Sequence, residues 1–442
     1  MSTYFKQHNQ LLLNVGGFAI NLMPFLLYLM LVSRHGDVVS DALPFALFYA
    51  FRRTALFAVR GAHDSDNLLG WIGLIAALSG FAIGMFGELS PIWWDLSAAG
   101  AGIGAAFFPS VQKQFRLTHR QSPADQQKGN AWVMLLSLIG LIALLALTER
   151  RWPALSFAAL LLFALVGLIG FYYDPLRHPG KTRLTISVPN LVLAVLLFCS
   201  VFLVRIGRSL GTGQPAMWGI GLLALIVVAI IAAALSNRPH PTATPWPLKL
   251  RLMLFGLCAD FCAIFSAVYI GVTYGIKTYA WMAVAYLLAF IIGGRLVRVL
   301  CARLPFSTLT TELLGIVAGL LLTFNFYTYF VGIFLIRAFA SVQNQEAIRE
   351  YDQQSAANNS YMVSYRLMSI AGLTTQLILW LSLLVATHLT GFSAILADFT
   401  FHQPTTRFAR PLLITQVVLA VWMLLFIFWI YRANQPKEEN DD

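Results

Sequence analysis

The sequence predicts an all-α integral membrane protein with about fourteen transmembrane helices, and three observations lead to this prediction. Hydrophobic residues make up 58% of the 442 residues and charged residues only 11%, whereas soluble domains carry roughly 25% charged residues. Apolar runs of about 20 residues follow one another almost to the C-terminus, each long enough to cross about 30 Å of hydrocarbon as a helix. The net charge of +11 comes from basic residues at the ends of these runs, which indicates membrane topology and not nucleic-acid binding.

The apolar runs predict the helices in chain order. They cover residues 11–33, 43–60, 69–89, 92–112, 131–148, 153–173, 187–206, 216–236, 250–274, 277–299, 306–323, 324–342, 361–387 and 411–432. The first run lacks a small-residue cleavage site, so it is predicted to be a helix and not a removed signal peptide. Lysine and arginine are about twice as frequent in the loops on the side of the N-terminus. This bias predicts a bacterial inner (plasma) membrane protein with both termini in the cytoplasm.

A repeated sequence pattern relates the two ends of the chain. The segment FFPSVQKQ (107–114) recurs as AFASVQNQ (338–345). Further along, SLIGL (137–141) recurs in the same order as SIAGL (369–373). These segments lie where the fourth helix of a set ends or the fifth begins, so the chain is predicted to contain two copies of a six-helix unit with the same topology.

The repeat predicts the domain organisation. An N-terminal six-helix bundle covers residues 1–173, and a pseudo-symmetric C-terminal bundle covers residues 250–432. Between them, residues 174–249 hold two inserted central helices flanked by polar, proline-bearing linkers. The last segment, 433–442, is predicted to be an acidic cytoplasmic tail.

This organisation resembles the major facilitator superfamily. The resemblance implies a secondary active transporter that works by rocking its two halves about a mid-membrane site. The loop after the second helix, RGAHDSDN (60–67), departs from the glycine–acidic–arginine pattern that is usual there. The fifth helix (132–148) also lacks the Gly-Pro element of drug-exporting members. The resemblance therefore carries no substrate class.

Two adjacent arginines, Arg52 and Arg53, lie in the middle of the second apolar run. Charged residues inside a span face the bundle interior or a water-filled cavity, and they commonly mark a substrate pathway. Adjacent helical positions point about 100° apart, so one of the two is predicted to face the cavity. A guanidinium can bind a carboxylate or phosphate through two hydrogen bonds, which makes the pair a candidate substrate-binding site. A purely structural ion pair is the alternative.

Asp260 lies near the middle of the ninth apolar run, in the motif GLCAD, and the first run contains GFAIN with the same Gly-x-x-x-polar spacing. Asn21 is therefore predicted to occupy the matching position and to contribute to substrate binding. A carboxylate in a low-dielectric setting binds a proton more readily than in water, so Asp260 is the candidate proton-coupling residue. The alternative is an aspartate locked in an ion pair with Arg52 or Arg53.

Three further charged residues lie at similar depth in predicted helices eleven to thirteen, namely Glu312, Arg337 and Arg366. They are predicted to form a cytoplasmic gate or a structural salt bridge, in preference to contacting the substrate.

Small residues indicate where helices pack closely. GFAIG (80–84) is a GxxxG pair, and AAGAGIGAA (98–106) is a run of glycine and alanine inside an apolar segment. Both are predicted to let neighbouring helices approach each other.

Motifs for enzyme chemistry are scarce in this sequence. It contains no HExxH, phosphate-binding P-loop or nucleophile elbow. The four cysteines lie in or at the ends of apolar runs and are predicted to be small buried residues, not metal ligands or disulfides. The sequence therefore predicts no enzyme activity, no metal and no cofactor.

The predicted function is secondary active transport of a small anionic or amphipathic solute, coupled to protons. Export by antiport is favoured over uptake, and the protein is predicted to be a monomer. Its predicted partners are the solute and the lipid bilayer, and no nucleic acid. A lipid flippase, a membrane enzyme acting on lipid-linked substrates and a transporter-like membrane sensor are the alternatives.

Overall fold

The computed structural model of the chain describes residues 2–21, 23–35, 39–59, 66–119, 139–140, 143–144, 152–173, 186–209, 213–236, 245–354, 360–390 and 406–435. Its helices are α1 (Ser2–Asn21), α2 (Met23–His35), α3 (Val39–Thr54), α4 (Asp66–Gly84), α5 (Pro91–His119), α6 (Pro153–Tyr172), α7 (Val188–Ser209), α8 (Gly213–Ser236), α9 (Trp246–Asp260), α10 (Ser266–Tyr274), α11 (Ile276–Ile291), α12 (Gly293–Arg303), α13 (Thr308–Leu322), α14 (Phe326–Gln354), α15 (Ser360–Leu389) and α16 (Ala409–Ala433). A short 3-10 helix (Ala55–Ala58) follows α3, and a π-helical segment (Phe261–Phe265) joins α9 to α10.

Helices form almost all of the part of the chain that the structure describes, where the β structure is an isolated bridge between Val59 and Ile186. Among the described residues, seven helices are long and apolar enough to cross a membrane, namely Leu11–Tyr28, Pro153–Tyr172, Val188–Ile206, Trp246–Tyr274, Phe326–Tyr351, Val363–Leu389 and Ala409–Ala433. Three shorter apolar helices accompany them, namely Leu68–Gly84, Gln214–Ile230 and Thr308–Leu322. The chain is a multi-pass α-helical membrane protein, as predicted. The count of fourteen spans stays a prediction.

The ends of several helices differ from the predicted spans. The twelfth predicted span ends at residue 342, whereas α14 continues to Gln354 as one helix of 29 residues. Hydropathy detects the apolar part of a helix, so it misses the polar last turns of α14. The fifth predicted span, 131–148, lies outside the described residues except for 139–140 and 143–144, which are helical.

Contacts between residues divide the chain into two compact units. The first unit contains Met1–Ile226 and Ala357–Met362, and the second contains Val227–Ala356 and Val363–Asp442. The pseudo-symmetry of the two predicted bundles stays a prediction, as do the bundle boundaries.

Small residues let α4 and α5 pack backbone against backbone in the first unit. A Cβ atom on Gly80 would lie 2.8 Å from the amide nitrogen of Ala101 and from the carbonyl oxygen of Ser97. A Cβ atom on Gly100 would lie 2.7 Å from the carbonyl oxygen of Ala76. These distances leave no room for a side chain, so the predicted close packing through small residues is confirmed for this helix pair.

The long helix α14 is the main packing element of the second unit, where α9, α11, α12 and α13 all contact it. Helices α13 and α14 come close at two glycines. A Cβ atom on Gly332 would lie 2.6 Å from the carbonyl oxygen of Gly319, and a Cβ atom on Gly319 would lie 2.9 Å from the amide nitrogen of Ile336. Further along, Gly315 faces the ring of Phe339. This sequence of contacts sets the register of the two helices.

We expect Gly80→Leu and Gly100→Leu to destabilise the protein by about 1–3 kcal/mol or more, because each inserts a side chain into a filled helix interface. The measurement is the thermal unfolding midpoint of the purified protein in detergent. Gly221→Leu in α8 is the matched control, since nothing lies within 4 Å of a Cβ atom at that position. An equal loss of stability in all three variants would contradict the packing described for α4 and α5.

Candidate functional site

Two of the predicted substrate-binding residues meet in the first unit. The guanidinium of Arg52 in α3 donates a hydrogen bond from Nη2 to Oδ1 of Asn21 in α1, at 2.9 Å. Both side chains are partly buried. The amide of Asn21 therefore holds one edge of the guanidinium in a defined direction. The prediction that these two residues bind substrate stays a prediction, but the structure brings them together.

Arg53 lies against a different group. Its Cζ atom is 5.4 Å from the centre of the Tyr49 ring, which belongs to the preceding turn of α3. A second guanidinium reaches the same ring from α7, since Cζ of Arg205 lies 4.1 Å from the Tyr49 ring centre and 5.4 Å from that of Phe45. These distances are within the range of cation–π attraction, which is about 6 Å. The face of a tyrosine ring thus supports a cation in a setting with little water.

Asn21, Phe45, Tyr49, Arg52, Arg53 and Arg205 together form what we call the arginine–aromatic cluster. Phe25 extends its apolar side, because the Phe25 ring lies 5.3 Å from the Phe45 ring and 6.5 Å from the Tyr49 ring. The cluster brings three guanidinium groups into one region of a membrane-embedded helix group. Neighbouring rings offer apolar surface. The cluster is thus chemically suited to a solute that carries both an anionic group and an apolar body.

Asp260 is the last residue of α9 and is almost completely buried, with 1% of its surface exposed. Its Oδ2 atom accepts a hydrogen bond from Nε2 of Gln376 in α15, at 2.9 Å. The carboxylate lies directly against Gly372, one turn earlier in α15, where any side chain would collide with it. The absence of a side chain at Gly372 therefore gives Asp260 its position between the two helices.

The π-helical segment Phe261–Phe265 begins immediately after Asp260. A π turn adds one residue to the helix, so it rotates the following residues relative to the preceding ones, and such turns occur frequently at functional sites. The rings of Phe261, Phe265 and Tyr269 stack along this side at centroid distances of 5.2 and 5.8 Å. The segment is thus irregular in its backbone but well packed by its side chains.

The three predicted gate residues have different surroundings. Arg337 is buried in α14, with Cζ 4.1 Å from the ring centre of Phe255 and 4.8 Å from that of Tyr286. Glu312 is fully buried in α13. Arg366 is partly buried in α15. Their role as a cytoplasmic gate stays a prediction.

The structure adds residues to the predicted sites. Arg205 lies near the end of the seventh apolar run, where it is assigned to a loop by charge counting, yet it reaches Tyr49. Gln376 is uncharged, so the pattern of buried charges does not predict it, although an amide inside an apolar run is itself a signal. Glu346 interacts with the predicted gate residue Glu312. It lies beyond the predicted end of the twelfth span, in the polar turns of α14.

We expect Gln376→Leu to cost about 1–3 kcal/mol of stability, because it removes a hydrogen-bond donor from a buried carboxylate. Adding Asp260→Asn to this variant restores part of the loss, since a neutral amide tolerates a missing donor better than a carboxylate. Thermal unfolding at neutral pH measures both effects. Thr374→Val is the control in the same helix, where the hydroxyl donates to the carbonyl of Ile370. A Gln376→Leu variant no less stable than this control would contradict the importance of the Asp260 contact.

Comparison with known proteins addresses the fold. No family model matches the sequence, and no curated protein matches it. Among solved structures, the chain is similar to a peptide transporter of the POT family in complex with sulfate, with a TM-score of 0.56 and 14% identity over 97% of this chain and 95% of that one. It is also similar to the POT family transporter PepTSo, with a TM-score of 0.53 and 13% identity over 98% of each chain. An auto-inhibited POT family peptide transporter gives a TM-score of 0.51 and 12% identity over 98% and 96%. All three are transporters and none is an enzyme, and the chain has the major facilitator fold that its repeat predicts.

Proposed function

We propose that the protein is a secondary active transporter of a small solute that carries an anionic group and an apolar part. The observation behind this proposal is the arginine–aromatic cluster, which gathers three arginines and two aromatic rings in a multi-pass membrane protein with a transporter fold. The likeness to peptide transporters is a likeness of fold at 12–14% identity. The solute class therefore rests on the chemistry of the cluster.

Arg52 and Arg205 have distinct parts in this proposal. The Asn21 amide orients Arg52, and a guanidinium is suited to bind two oxygens of a carboxylate or phosphate. Arg205 lies over the Tyr49 ring and adds positive charge beside an apolar surface. An anion that enters the cluster lowers the mutual repulsion of the guanidinium groups. The apolar part of the solute then contacts the rings of Phe25 and Phe45.

Asp260 is the proposed proton carrier in alternating access. It is buried, it sits where a regular helix changes to a π turn, and it has an uncharged hydrogen-bond donor in Gln376. An amide can donate to the carboxylate and, after rotation, accept from the protonated acid. A site of this kind accommodates both charge states of Asp260, which coupling to a proton gradient requires.

We expect Arg52→Gln and Arg205→Gln each to weaken binding of an aromatic carboxylate by about tenfold or more. The reason is that a charge-assisted hydrogen bond contributes about 1.5–3 kcal/mol, and 1.4 kcal/mol corresponds to about tenfold in affinity. Calorimetry on the purified full chain measures binding across a panel of aromatic carboxylates and their uncharged primary amides. The amides should bind weakly to all variants.

Arg298→Gln is the matched control for these arginines, since Arg298 is exposed and donates to the carbonyl of Gly294 in its own helix. Equal loss in the control, or equal binding of acid and amide to the wild type, would contradict anion recognition by the cluster. Binding of anionic phospholipid in place of every soluble acid would favour a lipid flippase.

Coupling is tested in liposomes that contain the full chain and a pH-sensitive dye. We expect the wild type to move protons when a bound solute is added and Asp260→Asn to bind the solute but move none. Glu88→Gln, at an exposed position, should behave as the wild type. The sign of the proton movement gives the direction of coupling, for which antiport and export are the predictions from sequence. Solute binding without any flux in the wild type would favour a membrane sensor.

A further inference from the structure

A pair of carboxyl groups joins α13 to α14 in the second unit. Glu312 of α13 is completely buried, with no exposed surface. Its carboxyl group lies within hydrogen-bonding reach of the carboxyl group of Glu346 in α14. Yet neither oxygen of Glu312 receives a hydrogen bond from a nitrogen or hydroxyl donor among the described residues. Two ionised carboxylates have no hydrogen between them, so this contact becomes a hydrogen bond only when one oxygen carries a proton.

A buried amide lies near the same level of the interface between α13 and α14. The contacts of Gly315 with Phe339 and of Gly319 with Ile336 show which face of α14 packs on α13. Gln343 continues that face by one turn, which places it opposite Glu312. It is fully buried, and neither its amide nitrogen nor its amide oxygen has a hydrogen-bond partner among the described residues. Gln343 thus brings an amide donor and acceptor to this level of the interface.

The charges around the pair do not balance two carboxylates. Arg251 of α9 interacts electrostatically with Glu312, and it already forms an ion pair with Glu350 of α14. From α12, the thiol of Cys301 faces the pair and is neutral at ordinary pH. With Glu312 and Glu346 both ionised, the four described side chains Arg251, Glu350, Glu312 and Glu346 would together carry two net negative charges, and Glu312 is fully buried. Close carboxylates in a low dielectric do not both ionise, and one of them keeps a proton.

We propose that Glu312 and Glu346 share one proton and form a protonation site separate from Asp260. The proton bridges one carboxylic acid and one carboxylate across the interface of α13 and α14. Arg251, which is paired with Glu350, lies close enough to stabilise the remaining negative charge electrostatically. A proton fits better than a metal ion, because a guanidinium beside the site would repel a metal cation.

The site lies in the packing interface of α13 and α14, so its charge state bears directly on that contact. With the proton, the two carboxyl groups attract. Without it, two negative charges oppose each other between tightly packed helices. The inference goes beyond the proposed transport reaction, since it concerns where a proton resides and needs no substrate.

Infrared difference spectroscopy of the purified full chain during a pH titration tests the proposal directly. We expect a carbonyl band of a protonated carboxyl group at neutral pH, shifted in D₂O, that is absent from both Glu312→Gln and Glu346→Gln. Asp260→Asn and the exposed control Glu88→Gln should retain this band. A band that survives in both glutamine variants, or that never appears in the wild type, overturns the proposal.

Thermal unfolding gives a second readout that does not depend on assigning a band. We expect the Tm of the wild type to fall between about pH 6 and about pH 9, because deprotonation leaves two repelling charges in the folded state. Glu312→Gln removes a charge at nearly constant volume, so its Tm should change less over this range and exceed that of the wild type at the alkaline end. The measurement is repeated with sodium and with choline as the only added cation. Stabilisation at alkaline pH by sodium alone, lost in Glu312→Gln, would show a sodium site and overturn the shared proton.

Discussion

The low dielectric of the membrane interior is the constraint on which the other features of this protein depend. A polar side chain that leaves water must find its partner within the protein, because lipid offers none. The described residues show three solutions. Arg52 is held by the amide of Asn21, Arg205 lies on an aromatic face, and Asp260 accepts a hydrogen bond from an amide. In each of these three contacts the partner is an uncharged amide or an aromatic ring.

Close helix packing makes these contacts possible. Small residues at Gly80 and Gly100, and again at Gly319 and Gly332, bring backbones together. Helices that are so close carry their polar side chains to within hydrogen-bonding distance of each other. Gly372 illustrates the link, because its missing side chain is the space that the Asp260 carboxylate occupies. The positions of the polar side chains therefore depend on the close packing of the helices.

The repeated motif shows how similar sequence can reach different chemistry. Gln112 and Gln343 occupy matching positions in FFPSVQKQ and AFASVQNQ. Gln112 donates from its amide to the carbonyl oxygen of Leu13 at 2.7 Å, which ties α5 to α1. Among the described residues Gln343 has no hydrogen-bond partner, and it continues the face of α14 that packs on α13. A side chain that stabilises a helix contact in the first unit is thus available for a charged site in the second.

The sequence by itself determined the membrane setting, the helical class and the transporter fold, and it predicted Arg52, Asn21 and Asp260 as site residues. These follow from hydropathy, from the repeated sequence motif and from the positions of charged residues. All three can be read from short segments, because the bilayer imposes the same requirement on each segment that crosses it. The tertiary structure alone decided which groups meet. Arg205 reaches Tyr49 across 156 positions, Gln376 reaches Asp260 across 116, and Glu346 reaches Glu312 only because α14 extends past its apolar part. Such pairings depend on the register and rotation of packed helices. These arise from contacts between distant segments, so the sequence of a single segment does not predict them.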